Sequence, residues 1–157
     1  MSDSVFENIQ QQLIERAVPH RYIKHRATKT IQDAQDKLEF DVHCILKTIV
    51  FRQKNAGLFL VGLTGHKRID YKKLALAIGV SRTKLSILAP DEVFENLGIA
   101  VGCVSPFLSN EQIPLIVDDD LPEKLICGSG RFDYSVAVSS EDLIAATRAV
   151  VAPVHQV

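Results

Sequence analysis

Two apolar segments set close together constrain this chain more than any other feature: "VHCILKTIVFR" at 42–52 and "LFLVGLTG" at 58–65. Both are dense in β-branched and aromatic residues, which suit a pleated, buried surface. The residues between them include "KNAG", which has turn chemistry, so the pair reads as a hairpin. Elsewhere the strand-like segments do not alternate one-for-one with helix-like ones. That pattern points to an α+β fold on a mixed or antiparallel sheet and away from a doubly wound parallel one.

The first of these strands contains a charge. Alternation puts Ile45, Lys47, Ile49 and Phe51 on one face and Leu46, Thr48 and Val50 on the other. Both faces are apolar, so the strand reads as central and covered on both sides. Burying an unpaired ammonium completely would cost roughly 4–7 kcal/mol. Two arrangements avoid that cost: the stem packs while the head reaches water at a sheet edge, or the head enters a polar pocket that holds an anionic or oxygen-rich partner.

The remaining elements follow from caps and periodicity. "SVFENIQQQLIERA" is a helix with Ser4 and Glu7 spaced as a capping box. "PHRYIKH" reads as an edge strand limited by Pro19, and "TIQDAQDKLEF" as a second helix capped by Thr30. "DYKKLALAIG" is a helix from Asp70 to a Gly79 stop, and "APDEVFENLG" runs to Gly98. "KLSIL", "IPLIVDD", "LICGSGRF" and "YSVAVS" are strands, and "SEDLIAATRAVV" is a closing helix capped by Ser139. "GIAVGCVSPF" fits neither class cleanly, because Pro106 ends any central strand there.

At 157 residues the chain is expected to form one domain. Hydrophobic residues make up 46% and charged residues 24%, and 18 basic against 19 acidic side chains leave a net charge of −1. Overall charge therefore carries no argument about a nucleic-acid partner; only a local patch can. Arg21, Lys24 and Arg26 form one basic cluster, and Lys67, Arg68, Lys72 and Lys73 another. Each is either a solvated face or a set of phosphate contacts. Cys44, Cys103 and Cys127 are odd in number and form no CxxC pair, which points to reduced thiols in the cytoplasm. The polar N-terminus is unlike a signal peptide, and no apolar run approaches the ~20 residues that span a bilayer.

Two small-residue stretches could build a pocket. "GCVSP", Gly102 to Pro106, combines a residue that lets amides approach a ligand with one that stiffens the turn. Such a loop is an ordinary turn or a cradle for a carbonyl oxygen. "GSG", Gly128, Ser129 and Gly130, is a second turn with one hydroxyl. Cys103 is either a small buried hydrophobe or a nucleophile. The histidines have no metal-ligand spacing, and no dinucleotide, P-loop or serine-elbow motif occurs.

Taken in order, His25 and Thr28 with Ala34, then "LKTIVF", "GHKRIDYKKLALAIG", "VGCVSPF" and "CGSGRFDYSVAVSSEDL" resemble the YbaK/prolyl-tRNA-editing-domain family over roughly residues 20–147. The resemblance implies a mixed, mostly antiparallel sheet or barrel with flanking helices. It implies an aminoacyl-tRNA deacylase that hydrolyses the ester of mischarged tRNA, free-standing or within a prolyl-tRNA synthetase, with no cofactor or metal. Lys47 resembles the family's functional lysine. Gly102, Cys103, Val104, Ser105 and Pro106 resemble its GxxxP loop, whose amides hold the aminoacyl group. Gly128, Ser129 and Gly130 resemble its final glycine turn, and His25 and Thr28 join the binding set.

The implied partners are the 3′ aminoacyl end of tRNA and a prolyl-tRNA synthetase, with no membrane; nothing in the chain demands a dimer, and a monomer is expected. Two departures stand out. Ser135 occupies a place where some editing members carry an acid. Thr48 follows Lys47 where alanine-specific members have Asn, and the late glycine turn lacks their His. The Lys–Thr pair matches cysteine-specific members instead. A binding module without turnover remains the alternative from another functional class.

Overall fold

The structure is a computed structural model and describes residues 3–25 and 41–157. Thr28, Ala34, Arg26 and the helix expected over 30–40 lie outside the described residues.

Four helices are described: α1 (Asp3–Glu15), α2 (Tyr71–Ile78), α3 (Pro90–Leu97) and α4 (Ser140–Thr147). Eight strands accompany them: β1 (Arg21–Lys24), β2 (Leu46–Gln53), β3 (Gly57–Thr64), β4 (Leu85–Ile87), β5 (Leu115–Asp118), β6 (Lys124–Gly128), β7 (Tyr134–Ser139) and β8 (Val150–Ala152). They form a three-stranded sheet, β1-β7-β6, and a five-stranded sheet, β4-β2-β3-β5-β8. Pairing is antiparallel except for β3–β5 and β5–β8. This is the expected mixed α+β architecture, open rather than closed into a barrel.

The hairpin expected from the first two strands is present, with Leu46 opposite Thr64 and Gln53 opposite Gly57. Its turn places Asn55 and Gly57 at positive φ, +66° and +106°. β2 is central, flanked by β3 and β4. It starts later than its apolar run suggests: Asp41 accepts the His43 N–H and winds Val42–Cys44 into a 3-10 turn first.

The caps read from sequence are largely in place. Asp70 accepts the Lys73 N–H at 3.1 Å, Ser139 accepts that of Asp142 at 3.0 Å, and Gly79 and Gly98 end their helices in left-handed conformations. Ser4 is not a cap, since α1 begins one residue earlier. The closing helix is also shorter than expected. It stops at Thr147, Arg148 turns left-handed at φ +55°, and Val150–Ala152 becomes an edge strand on β5. Here the β-branched valines pair with a sheet instead of extending the helix.

Two apolar clusters use the two faces of β2. Leu46 and Val50 pack with Ile9, Leu13, Cys103, Val104, Phe107, Leu125, Cys127 and Val136. Phe51 packs with Phe59, Val61, Leu63, Leu74 and Val154 beneath α2. Among the described residues no helix is long and apolar enough to cross a membrane.

Candidate active site

The two sheets meet where Ile45 pairs with Ile126 in a parallel bridge. Paired residues project to the same face. Two residues further along both strands stand Lys47 and Gly128. Gly128 pairs with Ser135, and Ser135 pairs with Ile23 of β1. Gly128 and Ser135 thus form one row of the smaller sheet, and Lys47 stands two residues past the bridge on β2.

The GxxxP loop lies against Gly128. Gly128 is needed for space: a Cβ there would run into the Val104 carbonyl oxygen and come within 3.2 Å of the Cys103 oxygen. The Gly130 N–H donates to the Cys103 carbonyl at 3.1 Å. The two small-residue stretches singled out in the sequence are therefore one structure, joined backbone to backbone.

Within the loop, Val101–Cys103 and Pro106–Leu108 are short 3-10 turns, which is why the stretch resisted a helix or strand assignment. Gly102 is exposed, whereas Cys103 to Phe107 are buried. The Cys103 N–H donates to the Ala100 carbonyl at 2.9 Å, and the Ser105 hydroxyl accepts from the Phe107 N–H at 3.2 Å. Cys103 is 2% exposed, and burial, aided by the nearby Asp133 charge, pushes its thiol up to about 12. A thiol in that state is a poor nucleophile.

Lys47 takes an intermediate course between the two arrangements considered above. It is half-buried, and its ammonium donates to the Lys67 backbone carbonyl. Burial first, and then the positive Arg68, hold its pKa below the ordinary lysine range. Lys67 is itself restrained: its Nζ donates to the Asp120 carboxylate at 2.9 Å and the Asp120 carbonyl at 2.8 Å, and stands 3.7 Å from Asp118. Asp118 is fully buried and accepts from the Val154 N–H at 3.1 Å and from His155 Nδ1 at 2.9 Å. Among the described residues Asp118, Asp119 and His155 form the one group whose ligating atoms gather within 4.8 Å. With His155 and the Lys67 cation already serving Asp118, the group reads as an ion-pair cluster.

His25 closes the other end of the row. Its N–H donates to the Asp133 carbonyl, and its Nε2 lies 2.9 Å from the Ser135 hydroxyl. Ser129 is fully buried, and its hydroxyl donates to the Tyr134 carbonyl at 2.7 Å while accepting from the Arg131 N–H at 3.3 Å. It closes the turn from within. Arg131 pairs with Asp133 through two 2.9 Å bonds and lies over the Phe6 and Tyr134 rings.

The second basic cluster is partly spent inside the protein. Lys67 is ion-paired and Lys73 donates to the His155 carbonyl at 2.9 Å, which leaves Arg68 and Lys72 at the surface. Sequence reasoning missed the Asp118–His155 support and read Lys67 as part of a solvated face or a set of phosphate contacts. A buried acid at the end of "PLIVDDD" was the available signal.

The aminoacyl-tRNA editing domain family matches residues 25–146. The chain is 22% identical over 130 residues to a proline–tRNA ligase of Thermoanaerobacter sp. (strain X514), covering 82% of this chain and 23% of the ligase. It is 30% identical over 81 residues to an uncharacterised protein of Bacillus subtilis (strain 168), covering 52% of this chain and 50% of that protein. The chain thus spans about a quarter of the ligase it matches.

Among solved structures, the crystal structure of a hypothetical protein superposes with a TM-score of 0.85 at 28% identity, over 94% of this chain and 99% of the other. A candidate trans-editing enzyme for prolyl tRNA synthetase superposes with a TM-score of 0.82 at 26% identity, over 97% of both. The lysine strand, the GxxxP loop and the glycine turn all fall inside the matched residues, and the chain belongs to the aminoacyl-tRNA editing domain family.

Proposed function

We propose that the chain is an aminoacyl-tRNA deacylase that clears mischarged tRNA in trans, with tRNA for proline as the related substrate. The observation that supports the reading is the packing of the Gly102–Pro106 loop against Gly128, with Lys47 two residues past the bridge that joins the two sheets. Lys47 binds and orients the 3′ terminal adenosine or the ester. The loop amides receive the carbonyl oxygen and stabilise it as negative charge develops. Water adds to the carbonyl carbon, the tetrahedral intermediate collapses, and the ribose oxygen leaves with a proton, giving free amino acid and tRNA. Much of the rate comes from positioning. A Cys103 nucleophile is disfavoured by its burial and raised pKa.

Purified protein incubated with a panel of mischarged tRNAs tests the proposal. Lys47→Ala is expected to abolish deacylation while its urea unfolding stays cooperative. A variant as fast as the wild type overturns the site. Ser135, bonded to His25 where some relatives have an acid, favours the second reading, a module that binds aminoacyl-tRNA without turnover. Retention of tRNA with no loss of ester would establish that reading.

A further inference from the structure

We infer that Asp118 and His155 are positioning residues for Lys47, acting through the Lys67 carbonyl; the inference rests on the deacylase reading of Lys47. The ammonium donates to that carbonyl. A carbonyl points where its peptide plane points, so its aim depends on how residues 67–70 are held. Each of the four is tied down. Lys67 is drawn to Asp118 and Asp120. The Arg68 carbonyl accepts from the Gln156 N–H at 2.8 Å, and the Ile69 carbonyl accepts from Gln156 Nε2 at 3.0 Å. The Asp70 N–H donates to the Val154 carbonyl at 2.8 Å.

Residues 154–156 are in turn fixed by Asp118, which accepts the Val154 N–H and His155 Nδ1. The C-terminal tail is thus a clasp around the segment that holds the lysine head. It lies beyond residue 146, where the family match ends. The clasp works by position, since none of its members other than Lys67 touches Lys47 in a bond or ion pair.

The experiment compares wild type, His155→Ala, His155→Asn, Gln156→Ala and Lys47→Ala in full-length protein. Two readouts are used: steady-state deacylation, and the rate at which acetic anhydride labels Lys47, followed by mass spectrometry. His155→Ala is expected to lower kcat on the order of 10-fold or more with KM within about twofold, and to speed Lys47 labelling several-fold. Asn carries a donor near the place of Nδ1, so His155→Asn is expected to restore most of both. Gln156→Ala, at an exposed residue, moves both in the same direction by less and keeps the question open to test should His155→Ala fail to fold.

Unchanged kcat and labelling in folded His155→Ala and Gln156→Ala would overturn the inference, as would Asn giving no rescue. If Lys47→Ala deacylates normally while labelling still responds to the clasp, the deacylase site is wrong and the clasp stands.

Discussion

Gly128→Ala tests the joint between the two loops most directly. Gly128 does not have positive φ, so alanine meets no backbone strain there. Its Cβ would collide with the Val104 carbonyl oxygen and crowd the Val104 carbon at 3.0 Å and the Cys103 oxygen at 3.2 Å. These are backbone atoms, so no side chain can swing aside. The GxxxP loop must retreat, by about 1 Å, to restore ordinary contact. Overpacking of this kind costs about 1–3 kcal/mol, and the stiffer unfolded chain returns about 0.4–1 kcal/mol. The net loss of stability then lies between about zero and roughly 2.6 kcal/mol, which is tolerable. The functional loss is larger, since a displacement near 1 Å in a positioning site lowers the rate on the order of 10²-fold.

The assay pairs urea unfolding with deacylation of mischarged tRNA. Gly98→Ala is the control: Gly98 has φ +68° and nothing within 4 Å of a Cβ. That variant loses about 1–2 kcal/mol to left-handed strain and keeps its activity. A Gly128→Ala variant that deacylates like the wild type would refute the claim that this close approach shapes the site.

Ser129→Ala removes a buried donor to the Tyr134 carbonyl and is expected to destabilise by about 1–3 kcal/mol in urea unfolding, because the carbonyl is left unpaired; an effect on kcat alone would mean that the hydroxyl serves substrate instead. Lys47 gives a pH signature. Its folded pKa lies below 10.5, so between the two values the unfolded chain binds more protons and stability rises with pH. The wild-type urea midpoint should climb over that window relative to Lys47→Met, and parallel midpoints would contradict the buried placement of the ammonium.

Much of the candidate site was legible because it depends on local chemistry. Lys47 stands out as a charge among strand residues. The glycine and proline around Cys103 announce a turn whatever surrounds it. The caps at Asp70 and Ser139 follow from bonds spanning three residues. What escaped reading was set by long-range partners. Ser129 reads as a turn hydroxyl in the binding set, but it donates its hydrogen bond to the Tyr134 carbonyl, five residues on. Lys67 and Lys73 read as a solvated face or as phosphate contacts, but one is bound to the end of β5 and the other to the C-terminal tail. The valines at 150–151 read as the end of the closing helix, but β5 offers them an edge and they pair there as a strand.

The order of residues by itself settled most of the strand segments, where a charge interrupts an apolar run, and where the backbone must bend. Those properties come from side-chain shape, φ preference and bonds between near neighbours, and they need no knowledge of what lies across the molecule. Only the tertiary structure decided that the Gly102–Pro106 loop rests on Gly128 and that the ammonium of Lys47 finds the Lys67 carbonyl. Contacts between residues 20 to 26 positions apart depend on how the sheets join at Ile45 and Ile126, and that junction is set by packing the whole core at once.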